Sequence, residues 1–294
     1  MLVDGLEREY RLHLPAEYDQ NTPTSLVLSF HWYQGNAKNM ESTSWTSRHA
    51  DKHGYVAVYP QSTSFQSATG TMTSWNDLAC SASSGPEGPT CSERFSWPFP
   101  PECGEPRDCA WCTCYDDLAF VDQLLDELGD TVCIDLDRVY ATGISNGAMF
   151  VHRLGCDMAD RFAAIAPVAG TLAKGFNCAP DGSASISIMH LHGEHDTLIP
   201  ADGSEGRDGG YFVPVDDVMD AWAGAASQDC DDIETPYPTS MDGTRELACV
   251  QRANCATGAD VVSCSWAGDH ASSMAISFPF GNNVIWEFFD ENSK

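Results

Sequence analysis

The chain has 294 residues, 43% of them hydrophobic, enough to fill the core of one large α/β domain or two small ones. Its 15 Lys and Arg against 43 Asp and Glu give a formal charge of -28, a field that repels phosphate backbones and anionic membrane surfaces and so argues against nucleic-acid or membrane partners. No apolar run reaches the roughly 18 residues that a membrane span requires.

In chain order, residues 10–15 (YRLHLP) read as a first strand, and the apolar run at 25–31 (SLVLSFH) as a buried one that ends at a histidine. A helix through residues 44–53 and a strand at 55–60 follow, and then a Ser-, Gly-, Pro- and Cys-rich segment from 61 to 113. That is too long for an ordinary loop. Its cysteines, with Cys114 directly after, predict a stapled excursion that walls a binding site. Apolar residues at Leu118, Phe120, Val121, Leu124, Leu125 and Leu128 recur with helical spacing over 115–130. Strands at 138–143, 162–170 and 185–193 alternate with a helix at 146–157, and a helix at 214–226, a strand at 260–268 and a closing helix at 282–291 complete the pattern. The rhythm predicts an α/β fold, a mostly parallel sheet covered on both faces, in a single domain over 1–294 with no internal repeat.

Thirteen cysteines cluster outside the apolar runs, which predicts disulfides and an oxidising compartment. The odd count leaves at least one thiol unpaired in a monomer, and Cys133 and Cys156 are the candidates. The start, MLVDGLEREY, lacks the basic and apolar regions of a signal peptide, so a secreted chain implies a signal already removed.

The chemistry centres on Gly143-Ile144-Ser145-Asn146-Gly147, a GxSxG between a β-branched strand and an apolar helix. A serine at such a turn is exposed on strained backbone, and glycines two positions to either side permit close packing. The alternative is a turn serine capping a helix. A serine needs a base, and the base an orienting acid. Asp196, just past one predicted strand, and His270, just past the next, supply the order Ser, acid, His; Glu194, Asp202 and Asp269 are rival acids. The amides of Asn146 and of Tyr33, or alternatively Trp32, are the expected oxyanion donors. Trp32, Trp75 and Trp266 lie near the site loops and are candidate substrate-lining residues, although packing is the commoner role of a tryptophan.

Two other motifs compete. His190-Leu191-His192-Gly193-Glu194-His195 approaches a zinc signature, but the further histidines such a site needs are missing and GxSxG would be left without a purpose. Cys109 to Cys114 contains CxxC and CxC, but after a Pro-rich loop rather than at the start of a helix, so disulfides are the expected role.

These segments together, HGEHDTLIP, RVYATGISNGAMFVHRLGCD, YDDLAFVDQLLDEL, AGDHA and VIWEFFDE, resemble the extracellular polyhydroxybutyrate-depolymerase and feruloyl-esterase group of α/β-hydrolases, within carbohydrate esterase family 1. The resemblance covers nearly the whole chain. It implies an α/β-hydrolase fold, Ser145, Asp196 and His270 as the triad, secretion, disulfides near the active site, and no metal or other cofactor. It further implies a monomeric serine carboxylesterase acting on polysaccharide-bound hydroxycinnamate or, alternatively, on a polyhydroxyalkanoate or similar polyester. A binding protein on the hydrolase fold and a serine peptidase are the readings from other classes. Trp32 stands where many members have glycine, Ala271-Ser272-Ser273 stands where they have WPG, and the cysteine-rich excursion is longer than the group's pattern. These departures bear on the choice between aromatic ester and polyester.

Overall fold

The structure is a computed structural model that describes residues 1–67, 70–77, 85–95, 97–98, 100, 103, 109, 111, 113–176, 178–238, 247–272 and 281–294. A hairpin of β1 (Leu2–Val3) and β2 (Leu6–Glu7) precedes β3 (Tyr10–His13), β4 (Thr24–Phe30), α1 (Ala37–Ser44), α2 (Thr46–His53) and β5 (Val56–Pro60). A second hairpin, β6 (Thr63–Ser67) and β7 (Gly70–Ser74), opens the cysteine-rich excursion. Then come α3 (Asp117–Thr131), β8 (Ile134–Ile144), α4 (Asn146–Asp157), β9 (Ala164–Val168), β10 (Ser187–Gly193), α5 (Val215–Ala223), β11 (Glu234–Pro236), β12 (Ala248–Arg252), β13 (Val261–Trp266) and the closing α6 (Gly281–Asp290).

Nine strands form one sheet in the order β11-β12-β13-β10-β9-β8-β4-β5-β3. The six from β13 to β5 run parallel, and antiparallel strands close both edges. The parallel strands are near-continuous apolar runs because helices cover both faces. Leu26, Leu28 and Phe30 of β4 pack with Phe120, Leu124 and Leu128 of α3 and Phe150, Val151 and Leu154 of α4. Val27, between them in sequence, faces the other layer, where Ala37, Met40 and Ala50 of α1 and α2 and Val284, Phe288 and Phe289 of α6 cover the sheet. The helix expected over 44–53 is α2, and Trp45, at φ 58°, separates it from α1, which the sequence does not predict. The short β11 and β12 lack an apolar run and are not predicted from the sequence.

Among the described residues, five disulfides join Cys91–Cys109, Cys103–Cys114, Cys156–Cys178, Cys230–Cys255 and Cys249–Cys264. Cys133 is the free thiol among the described residues, whereas Cys156, the other candidate, is bonded. The reason is position: the end of α4 brings the Cα of Cys156 to 5.7 Å from that of Cys178, within bridging reach. Cys80, Cys112 and Ser273 lie outside the described residues. Cys109 bonds to Cys91 and Cys114 to Cys103, so neither joins a neighbour within its own motif.

The excursion has a closed neck. Asn76 donates from its amide to Asp117 Oδ2 at 2.7 Å and from Nδ2 to the Tyr115 carbonyl at 2.8 Å, while buried Arg8 binds Asp117 Oδ1 at 2.6 Å. The two ends of the segment between Asn76 and Tyr115 thus meet at one point, and Thr90 and Ser92 within it bond to the backbone of Tyr211 and Gly209.

Candidate active site

The loops after β4, β8, β10 and β13 all leave the carboxyl ends of parallel strands, the edge where open α/β sheets hold their sites. Ser145 stands between β8 and α4 with φ 57° and ψ -123°. The elbow is held by close packing of small residues. A Cβ on Gly147 would lie 2.5 Å from the Phe30 carbonyl oxygen and 2.6 Å from that of His31, and one on Gly143 would lie 2.7 Å from Gly147. Glycine at both positions therefore lets α4 start against the end of β4.

The structure brings Ser145, His270 and Asp196 into one line. Ser145 Oγ lies 3.0 Å from His270 Nε2, and His270 Nδ1 lies 2.6 Å from Asp196 Oδ2. The other carboxylate oxygen, Oδ1, accepts from the amides of Leu198 at 2.8 Å and Ile199 at 2.9 Å. Burial by itself raises the pKa of Asp196, but hydrogen bonds from His192 and His270 outweigh it and hold the carboxyl well below its ordinary range. The rival acids are engaged elsewhere. Glu194 accepts from Ser265, Asp202 from the Ser204 amide and Asp269 from the Ser272 amide.

Asn146 opens α4, and its amide is one of those that a helix start leaves without an intrahelical acceptor. Its side chain is a clamp: Oδ1 accepts from the Trp75 amide at 2.8 Å and Nδ2 donates to the Trp75 carbonyl at 3.2 Å. Facing it, the Trp32 carbonyl accepts from the Gly35 amide at 2.9 Å and from His31 Nδ1 at 2.8 Å. His31 Nε2 accepts from the Ser62 amide at 3.3 Å, which leaves the ring proton on Nδ1. The Trp32–Tyr33 peptide is pinned by its oxygen, and in a trans peptide the Tyr33 N–H points the opposite way. Burial lowers the pKa of His31 to about 4, so it is neutral in this role.

A small cleft of about 70 Å³ opens beside Ser145 and Asn146, walled by Tyr33, Phe95, Trp97, Trp111, Met149 and Phe212, with Asp208 as its carboxylate. Trp97 meets Tyr33 edge-to-face at 4.7 Å, and Phe95 lies 5.4 Å from Trp111. Trp32, Trp75 and Trp266 do not line this cleft, contrary to expectation. Trp75 is fully buried, stacked on Phe150 at 5.3 Å and donating to the His31 carbonyl. Trp266 is buried beneath the loop that carries His270, where its Nε1 donates to Ser272 Oγ at 3.1 Å. Trp32 packs against the core on the α6 side of the sheet. The residues that do form the wall, Phe95, Trp97 and Trp111, lie in the aperiodic excursion, whose aromatic and cysteine content was the signal for them. The zinc-like run is split, with His190 and His192 buried and Glu194 and His195 exposed.

No family model matches the sequence. The probable feruloyl esterase C of Aspergillus niger is 24% identical over 200 residues, covering 67% of this chain and 57% of that protein. The probable feruloyl esterase C of Aspergillus flavus is 24% identical over 298 residues, covering 98% of this chain and 87% of that protein. The chain thus spans little more than half the length of the first of these relatives. The acetyl xylan esterase from Aspergillus awamori shares the fold, with a TM-score of 0.59 at 13% identity over 96% of this chain and 93% of that one. The chain has the α/β-hydrolase fold, and its sequence is similar to those of fungal feruloyl esterases.

Proposed function

We propose that the chain hydrolyses carboxylic esters through an acyl-enzyme on Ser145. The observation that carries this is the continuous hydrogen-bonded line from Ser145 Oγ through His270 to Asp196, opening onto an aromatic cleft. His270 takes the hydroxyl proton as Ser145 attacks the ester carbon, and the Asn146 and Tyr33 amides stabilise the oxyanion. The intermediate collapses as His270 returns the proton to the leaving alcohol. Water then releases the acid by the same path, and Asp196 keeps the ring in one tautomer throughout.

The planar walls supplied by Phe95, Trp97, Trp111 and Phe212 suit a flat aromatic acyl group, so the proposed substrates are hydroxycinnamoyl esters carried on polysaccharide. The names of the relatives support this reading. Five disulfides support an extracellular setting.

The test incubates wild type and Ser145→Ala with p-nitrophenyl acetate, methyl ferulate and a polyhydroxybutyrate suspension. Release of ferulate by wild type alone is the expected result. Release of hydroxybutyrate without ferulate would replace hydroxycinnamate with polyester as the substrate class. Equal turnover by Ser145→Ala would overturn the serine mechanism.

A further inference from the structure

Behind Asp196, on the side away from Ser145, three buried histidines stand in file. His190 and His192, two residues apart on β10, share one face of the strand with rings stacked 5.3 Å apart, and His152 reaches them from α4. His152 Nε2 lies 3.1 Å from His190 Nδ1, His190 Nε2 lies 3.1 Å from His192 Nδ1, and His192 Nε2 lies 2.8 Å from the Ile199 carbonyl oxygen. His192 Nε2 is also 3.5 Å from Asp196 Oδ2.

Protons in this file have one consistent arrangement. A carbonyl oxygen only accepts, so His192 carries its proton on Nε2 and presents a lone pair at Nδ1. His190 must then donate from Nε2 and accept at Nδ1, and His152 must donate from Nε2. The leftover site is His152 Nδ1, which forms no well-aligned hydrogen bond, although the Gly170 backbone lies close enough to act on the ring. Burial lowers the pKa of His152 to about 3 and that of His190 well below the ordinary histidine value. Both rings are thus neutral, the form that can donate and accept at once. The groups facing them are the other two imidazoles and, beyond His192, the Asp196 carboxylate.

The file ends on the segment that orients the acid. Ile199 offers its carbonyl to His192 and its amide, with that of Leu198, to Asp196 Oδ1, which leaves Oδ2 directed at His270. Three buried imidazoles carry a desolvation cost that apolar residues would avoid.

We infer that His152, His190 and His192 form a tautomer-locked relay of positioning residues that fixes the 196–199 turn and, through Asp196, aligns His270. The inference rests on reading Ser145, His270 and Asp196 as the ester-hydrolysing triad. Replacing His190 by an apolar residue leaves His192 Nδ1 buried without its donor, so the ring can turn off the Ile199 carbonyl and loosen the 196–199 turn, which carries the acid and whose Leu198 and Ile199 also line the cleft.

The test combines spectra and kinetics. Nitrogen-15 spectra of the imidazoles in wild type should show all three rings as neutral Nε2–H tautomers; an Nδ1–H tautomer at His190 or His192 overturns the relay. His190→Leu should lower kcat on p-nitrophenyl acetate about tenfold with KM within about twofold. His190→Gln, whose carboxamide both accepts from His152 and donates to His192, should restore kcat to within about twofold of wild type. Equal loss in both variants, or loss in neither, overturns the positioning role, and the wild-type spectra still decide if His190→Leu does not fold. Wild type without turnover would instead count against the ester-hydrolase reading, and the wild-type spectra would then decide the relay by themselves: Nε2–H at all three rings upholds it and Nδ1–H at His190 or His192 overturns it.

Discussion

Two sides of the cleft at Ser145 are made by different means. The side that carries Ser145, Asp196 and His270 grows from the ends of parallel strands, and backbone contacts set its geometry: Gly147 against the carbonyls of Phe30 and His31, and Asp196 against the amides of Leu198 and Ile199. The side that carries Phe95, Trp97 and Trp111 belongs to the excursion, held by Cys91–Cys109, Cys103–Cys114, ring contacts, and backbone hydrogen bonds from Tyr211 to Thr90 and from Ser92 to Gly209. Under the proposed function, chemistry falls to the first side and acyl recognition to the second, so each should be open to perturbation with the other intact.

The largest expected effect falls on the strand-end side alone. Asp196→Asn should lower kcat by about a thousandfold or more, because the amide no longer holds His270 in the productive tautomer, while KM for methyl ferulate stays within about twofold. A comparable rise in KM would mean that the two sides are not separable.

Next in size is Gly147→Ala. Its Cβ would press on two backbone oxygens that cannot move aside, so we expect a loss of about 2–4 kcal/mol in unfolding free energy together with loss of turnover, read from denaturant melts and p-nitrophenyl acetate assays. Stability within about 0.5 kcal/mol of wild type would show that this packing is looser than the geometry implies.

Acid should strike the strand-end side first. His31 and His152 have folded pKa values of about 4 and about 3 against 6.5 when unfolded, so below pH 6.5 the unfolded chain binds more protons than the folded one. Stability should therefore be flat with respect to these groups above pH 6.5 and fall between 6.5 and about 4, each costing about 1.4 kcal/mol per pH unit. Glutamine at His31 should flatten part of that slope in urea melts; an unchanged slope would assign the acid sensitivity to other groups.

The smallest effect belongs to the stapled side. Replacing Cys91 and Cys109 together by alanine should raise KM for methyl ferulate about tenfold and leave p-nitrophenyl acetate turnover within about twofold, since the small acetyl group needs no aromatic wall. Equal losses on both esters would tie the excursion to the catalytic line itself.

The same contrast explains what was legible in the sequence. GxSxG between β8 and α4, and an aspartate and a histidine just past β10 and β13, could be read because glycine spacing and apolar runs report directly on strand ends. Trp75 was misread because linear proximity to a site loop does not tell whether an indole faces solvent or, as here, Phe30 and Phe150. Cys156 was open because its partner, Cys178, lies beyond a strand, and pairing at that distance follows from the folded path rather than from spacing. The histidine file was visible only as an odd near-zinc motif, since His152 belongs to a different element from His190 and His192.

The neck formed by Asn76, Tyr115, Asp117 and Arg8 has an evolutionary consequence. The excursion is tied off at the neck and pinned again where Thr90 and Ser92 bond to Tyr211 and Gly209, so the stretches between these points can change length cheaply: doubling a flexible loop between fixed ends costs only about 0.6 kcal/mol in closure entropy. Descendants of such a scaffold could exchange one stapled wall for another and so acquire a new acyl preference while inheriting the nucleophile, base and acid unaltered. The neck works as a socket, and the segment plugged into it is the part of the molecule most open to diversification and to grafting by design.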